Sequence, residues 1–410
     1  MDRKGCHNQE MTTSTASARY QETHPWLTFQ FDLSRLSYKT WLLLGEAQSK
    51  CQHVAGVPLT PAVAQSLHSI YLSKGIHGTA SIEGNTLSED EVRARIEGDL
   101  ELPQSQEYLG REIDNIVAVC NQIVERVLAG QEAGISVDLI KEYNRSILEE
   151  LPLKDDVFPG EIRDHSVTVG ISGYRGAPAA DCEQLLENLV TWLNAMRAPD
   201  ENPELRFAFA VLKSILAHLY IAWIHPFGDG NGRTARLIEF QLMIEAGAPV
   251  PAAHLLSDHY NRTREAYLVE LDRTSRRTGY PVEGFVQYAL QGFVDELRDQ
   301  IETIKDQQHN VTWINYIHDQ FSNEDTPAKR RQRHLMLDFP RGQVVPRSKI
   351  QDISPRMVRH YANATDKTLT RDINELVRRK LLVRVKGGLR ANRKLIEAFL
   401  PATLPVEDEG

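Results

Sequence analysis

The sequence predicts a mainly α protein with one short β-hairpin in its middle and a small C-terminal module of helices closed by a glycine-tipped hairpin. Three observations predict it. Apolar residues recur at helical spacing through most of the 410 residues, with capping residues at the ends of the runs. Alternating segments are few and short, at residues 165–170 with 173–177 and at 381–385 with 386–390. No internal repeat or low-complexity tract interrupts the pattern.

The elements follow in chain order. Residues 1–24, rich in Ser, Thr and Gln, are expected to be disordered. Residues 25–104 form an N-terminal helical region: Trp26, Phe29, Phe31 and Leu33 alternate in part, and helices follow over 38–52 and 61–74. Ser88 starts another helix as N-cap, with Glu91 completing a capping box. Residues 105–310 form a helical core. Its helices are expected over 107–128 and 136–150, the second capped by Ser136 and carrying Leu139, Ile140, Tyr143 and Ile147 on one face. Phe158-Pro159-Gly160-Glu161-Ile162-Arg163 breaks the helical pattern ahead of the hairpin, and residues 181–195 return to helix. Further helices are expected over 204–224, over 234–246 with Gly247 as C-cap, over 257–274, and over 280–309 with an acidic face.

Between the two central helices lies His225-Pro226-Phe227-Gly228-Asp229-Gly230-Asn231-Gly232-Arg233-Thr234-Ala235-Arg236. Its second half opens a helix, whose N-terminus presents unpaired backbone N–H groups and the positive end of the macrodipole. Gly230 and Gly232 lack Cβ atoms, so a ligand can approach that backbone closely. Arg233 and Arg236 lie three apart on one helical face. Together these make a socket for a polyanion, with phosphate the natural candidate. Asp229 is placed to hold a hard cation, Mg²⁺, and His225 at the mouth can take a proton from a hydroxyl. Two other readings fail. A calcium loop would need an oxygen donor where Arg233 stands and Glu where Phe240 stands, and a P-loop would need Gly-Lys-Ser/Thr. An ordinary turn is the remaining alternative.

These residues resemble the Fic signature His-x-Phe-x-(Asp/Glu)-Gly-Asn-(Gly/Lys)-Arg-x-x-Arg, matched at every defined position. The resemblance covers roughly residues 79–290. It implies a Fic helical core and an enzyme that moves AMP from ATP onto a Ser, Thr or Tyr hydroxyl of a protein. It implies His225 as general base, Asp229 as Mg²⁺ ligand, and Gly230, Asn231, Gly232 and Thr234 around the nucleotide phosphates. Arg233 and Arg236 would grip the outer phosphates, and Phe227 would plug into the core. One departure is Asn144, where many relatives have histidine, at a structural helix position.

Two more segments gain meaning from that resemblance. Thr79-x-x-x-Glu83-Gly84 is similar to the inhibitory motif (Ser/Thr)-x-x-x-Glu-(Gly/Asn), which implies that Glu83 occupies the guanidinium fork of Arg236 meant for the ATP γ-phosphate. The alternative is a helix end with a Gly cap. The hairpin, with Val167, Thr168 and Val169, stands where Fic proteins carry a flap that pairs main chain to main chain with the target; the alternative is a purely structural edge. Tyr267 offers an aromatic plane to adenine, although packing is the commoner use of such a residue.

The chain has a formal net charge of −9, unevenly spread. Residues 311–400 hold nineteen Lys and Arg against nine Asp and Glu, a net of +10, so the remainder is strongly acidic. The pattern at 354–361, 365–380 and 381–390 is similar to a winged helix-turn-helix. It would present Lys367, Thr368 and Arg371 on the second helix and Lys386, Arg390 and Arg393 on the wing. Binding of DNA, docking of a protein, and pairing with a second copy of the chain stay open. Residues 401–410 form an acidic tail. Hydrophobic content of 41% and charge of 25% suit a globular chain. The four scattered cysteines are read as reduced and structural. No apolar run is seen that reaches the length of a membrane helix, and residues 1–23 are polar and lack the apolar stretch of a secretory signal, so a cytoplasmic location is expected.

An auto-inhibited protein adenylyltransferase is the leading functional expectation. Alternatives are a deadenylylase that uses Glu83 to position water, a nucleotide-sensing DNA-binding regulator, and a phosphate-transferring enzyme. The last is ranked lowest because Gly232 stands where such relatives have Lys.

Overall fold

The computed structural model describes residues 19–131, 134–169 and 174–397, with only the backbone of Val169. The chain divides into two compact units, residues 1–301 and 302–410.

The first unit is built from α1 (Tyr38–Gly56), α2 (Pro61–Ser81), α3 (Glu89–Glu97), α4 (Glu107–Leu128), α5 (Val137–Ile147), α6 (Cys182–Ala195), α7 (Arg206–Ile224), α8 (Asn231–Glu245), α9 (Leu255–Arg262), α10 (Arg264–Arg276) and the first part of α11 (Glu283–Gln320). Helix α7 is apolar nearly all round, and a helix of that kind must be enclosed. It packs on α8, which in turn receives α4 and α5. By length and composition the stretch Pro203–Ile224 is apolar enough to cross a membrane, contrary to the expectation that no run would be. Within this chain 83% of its most apolar 18-residue window is buried, so it serves as the core helix. Cys51, Cys120 and Cys182 are buried free thiols.

Capping follows the side chains as expected. Ser88 and Glu91 form a reciprocal box at α3, and Ser136 accepts from Leu139 N at α5. Several boundaries differ, among them the helix expected over 280–309, which runs from Glu283 to Gln320. The partial alternation over 25–38 suggests an extended segment; residues 25–37 form no strand and carry a 3₁₀ turn at Leu33–Arg35. The helix expected over 257–274 is two helices, broken at Thr263. Helix α2 runs on to Ser81, well beyond residue 74, through two glycines. A Cβ on Gly75 would stand 2.4 Å from His254 Cβ, and one on Gly78 2.6 Å from the Ser257 carbonyl oxygen. The glycines therefore let α2 lie directly against the segment holding α9.

The hairpin is present as β1 (Thr168–Val169) paired antiparallel with β2 (Tyr174–Arg175); its tip, 170–173, lies outside the described residues. Residues 1–18, including most of the N-terminus expected to be disordered, and the acidic tail also lie outside them.

The second unit holds the end of α11, α12 (Pro327–Asp338), α13 (Pro355–Tyr361), α14 (Asp366–Arg378), and an antiparallel hairpin of β3 (Leu382–Val385) and β4 (Gly388–Ala391). Val345 adds a bridge to Leu389 in β4. The unit has its own core, including Trp313, Phe321, Met336, Met357, Leu369, Ile373, Leu376 and Leu389.

Candidate active site

Helix α7 ends because His225 turns left-handed, at φ 52° and ψ 57°. The chain then loops to Gly230, also left-handed at φ 75°, which caps α8. A Cβ on Gly230 would stand 2.9 Å from the Asn144 amide nitrogen, so the turn requires both glycine's freedom and its small size. Phe227 is fully buried beneath the loop. Its backbone N donates to Asn231 Oδ1 and its carbonyl accepts from Asn231 Nδ2, each at 2.8 Å. The Asn231 side chain therefore closes the loop on itself.

Asn144 has more work than a helix filler. Its Nδ2 donates to the Asp229 carbonyl at 2.9 Å and to Thr234 Oγ1 at 3.3 Å, while its Oδ1 accepts from Gly160 N at 2.9 Å. The Thr234 hydroxyl is thereby turned into the core, away from where a nucleotide was expected.

His225 sits half-buried at the mouth. Its Nδ1 lies 3.3 Å from the Ala222 carbonyl, which makes Nδ1 the protonated nitrogen and leaves Nε2 as the basic one. Burial pushes the imidazole pKa down to about 4, against the opposing pull of the Ala222 carbonyl and the Glu83 charge. The ring is therefore neutral at physiological pH.

Arg163 fixes the surroundings of that histidine. It is buried and donates from Nε to the His225 carbonyl at 2.8 Å, from Nη1 to the His165 carbonyl at 2.6 Å, and from Nη2 to the Ala177 carbonyl. Gly176 comes so close that a Cβ there would be 3.0 Å from His225 Cβ. The hairpin bearing Val167, Thr168 and Val169 is thus seated beside the loop. Neither Asn144 nor Arg163 was assigned a role from the sequence. Only the unusual Pro-Gly punctuation at 158–163 marked the second.

The basic side chains divide. Arg233, expected to grip phosphate, is held by two carboxylates: Nη1 donates to Glu112 Oε1 at 2.5 Å and Nη2 to Asp229 Oδ1 at 2.8 Å. Asp229 keeps 48% of its side chain exposed. Arg236 is 1% exposed and donates from Nη2 to Glu83 Oε1 at 2.7 Å and to the Thr79 carbonyl at 2.9 Å. Its Nε and Nη1 are buried and have no partner among the described residues. Burial pushes the Glu83 carboxyl up, but the charges of Arg236 and Arg233 and the hydrogen bond from Arg236 outweigh that and hold it below the usual glutamate value. A Cβ on Gly232 would meet Glu83 Oε1 at 2.0 Å, so the carboxylate lies against the N-terminal turn of α8.

Tyr267 is corrected by the structure. It is 3% exposed, its hydroxyl lies 2.9 Å from His218 Nε2, and its ring packs among His218, Tyr260 and Phe285. That leaves no open face for a purine.

A sequence match to the Fic/DOC family covers residues 134–243. The chain is 33% identical over 174 residues to protein adenylyltransferase fic-1 of Caenorhabditis briggsae, covering 42% of this chain and 32% of the relative. It is 30% identical over 184 residues to protein adenylyltransferase Fic of Aedes aegypti, covering 45% and 33%. The chain thus spans about a third of the length of these curated relatives. A Fic family protein from Desulfovibrio desulfuricans shares the fold over 86% of this chain and 93% of its own, with TM-score 0.53 and 18% identity. Fic-1 of Caenorhabditis elegans does so over 65% and 73%, with TM-score 0.51 and 24% identity. With the loop from His225 to Arg236 inside the matched stretch, this chain carries a Fic/DOC family domain over residues 134–243.

Proposed function

We propose that the chain is a protein adenylyltransferase held in check by Glu83. The observation that carries this is the Glu83–Arg236 pair at the N-terminus of α8, beside a neutral His225. In the reaction a Ser, Thr or Tyr hydroxyl of the target gives its proton to His225 Nε2. Its oxygen bonds to the α-phosphorus of ATP, the bond to the bridging oxygen of the β-phosphate breaks, and pyrophosphate leaves. The α8 N-terminal N–H groups and Arg236, whose Nε and Nη1 await acceptors, offset the negative charge. Asp229 is the residue that would hold Mg²⁺. A single exposed carboxylate, with no cluster of three or more His, Cys, Asp or Glu among the described residues, fits an ion held largely by phosphates and water. When bound, Mg²⁺ neutralises phosphate charge. The outer edge of the two-stranded hairpin, at Val167, Thr168 and Val169, offers main-chain groups to an extended target segment.

The test is self-labelling from α-labelled ATP. Wild type should label weakly. Glu83→Gly should label about ten- to more than a hundredfold faster, since a charge-assisted hydrogen bond freed for ATP is worth roughly 1.5–3 kcal/mol. Adding His225→Ala should then lower transfer by about 10²–10⁴-fold while ATP still binds. Unchanged labelling in Glu83→Gly would remove the inhibitory role.

A second reading, AMP removal, draws on Glu83 keeping 31% of its side chain exposed, enough to hold a water. It differs in outcome: Glu83→Gly would lose AMP removal from a modified target even as transfer rises.

A further inference from the structure

The second unit carries a basic surface that the catalytic reading does not use. Most of its arginines are consumed internally. Arg331 donates to the buried Asp372 at 2.5 Å, Arg356 pairs with Asp338, and Arg347 holds Asp366 at 2.6 Å. Lys329, Arg378 and Arg379 surround Glu375. Arg393, expected on a wing, lies instead over the Trp313 ring at 5.3 Å, and burial lowers its pKa.

What remains is arranged. Along α14, positions 367, 371 and 374 recur at helical spacing, and Lys367, Arg371 and Asn374 are all exposed. Among the described residues Lys367 and Arg371 make no side-chain hydrogen bond or ion pair. Arg384, exposed on β3, reaches across to Asn374 Oδ1 at 2.7 Å, which ties the hairpin to the same face. Lys386, exposed at the hairpin turn, extends the row. The carboxylates of α14 are already engaged: Asp366 by Arg347, Asp372 by Arg331, Glu375 by its three cations. The outward face thus keeps positive charge without local compensation.

We propose that this face, α14 with the β3–β4 turn, binds duplex DNA. Helix α14 follows α13 after a four-residue turn and has 13 residues, about 20 Å of helix. A B-form major groove about 12 Å wide admits one α-helix. The deep, narrow major groove of an RNA duplex does not. Lys367 and Arg371 would meet phosphates and base edges from the helix, and Arg384 and Lys386 the flanking backbone.

The test uses the full chain and a fluorescein-labelled mixed-sequence DNA duplex, followed by anisotropy. Four phosphate contacts give a slope of log K against log salt near −3.6, so affinity should fall about a hundredfold between 50 and 200 mM salt. Lys367→Glu with Arg371→Glu should weaken binding at least tenfold and flatten the slope by about two. Arg341→Glu, a reversal at a residue held to Asp306, should change it far less. If the double variant loses helix by circular dichroism, Lys386→Gln replaces it, with an expected slope change of about one. No binding at about 50 mM salt, equal loss from Arg341→Glu, or equal affinity for an RNA duplex would each overturn the proposal.

Discussion

His225 shows how one side chain is tuned by its neighbours. Burial lowers its pKa to about 4 from 6.5, while the Glu83 charge opposes that shift, so removing Glu83 takes away a negative charge that favours protonation. In the Glu83→Gly variant the imidazole should therefore stay neutral as the medium is acidified. Self-labelling by that variant is expected to be flat from about pH 8 to about 5.5, with no loss centred on the ordinary imidazole value. A half-maximal rate near 6.5 would show that the ring is hydrated in the working state. Stability moves the other way. The unfolded chain takes up this proton near 6.5 and the folded chain only near 4, so stability declines as pH falls through that window. His225→Gln should lessen that decline in urea unfolding midpoints without removing it, because burial also lowers His254 and His259. Glu83 acts in the same direction at lower pH: its folded-state value is also lowered, so the latch is fully charged at neutral pH and its contribution is lost only as pH falls below the usual glutamate range.

Among the elements, residues 160–169 and 174–177 are held mostly by main-chain acceptors. Arg163 joins the ends of the hairpin to the His225 carbonyl through three donors, with no carboxylate partner among the described residues. Arg163→Ala leaves those buried acceptors to find water, at a cost of about 1–3 kcal/mol for each left unsatisfied. We expect a loss of about 3 kcal/mol in global stability by denaturant unfolding. Transfer in the Glu83→Gly background should fall as well, because the His225 backbone is released. Arg163→Lys should restore little, since an ammonium cannot match a planar fork spread over three carbonyls. A neutral result in both assays would mean that the remaining bonds suffice to position the hairpin, among them Arg163 N to the Pro226 carbonyl at 3.0 Å and the Tyr174 hydroxyl to the Trp223 carbonyl at 2.8 Å.

At the level of the whole molecule, chemistry and the basic surface fall in different compact units, 1–301 and 302–410. Trp313 is fully buried in the core of the second unit, with its Nε1 donating to the Met336 carbonyl at 3.4 Å. Trp313→Ala should lower the stability of that unit by about 3–5 kcal/mol. Calorimetry is expected to show one transition shifted and another unmoved, and the labelling rate of Glu83→Gly should not change when Trp313→Ala is added. A parallel loss of labelling would show that the two units unfold as one block.

The sequence by itself determined the local chemistry. Ser88, Glu91 and Ser136 cap the helices they begin, because a cap is satisfied within three or four residues. The turn from His225 to Arg236 was legible for the same reason, since glycine freedom and a helix N-terminus need no distant partner. The pairing of Glu83 with Arg236 was legible only through its resemblance to a known motif. Tertiary structure decided where side chains meet groups far along the chain. Arg233 is spent on Glu112, 121 positions away, and Asn144 pins a loop 85 positions away. Tyr267 is enclosed by aromatic rings from other helices. The length of α2 was decided there too: Gly75 and Gly78 look like helix ends in isolation. Close packing against the segment around α9 keeps them helical, and the extra turns carry Glu83 to Arg236. Hydrogen bonds and burial between remote segments leave no periodicity in the sequence, and so these contacts had to be seen in space.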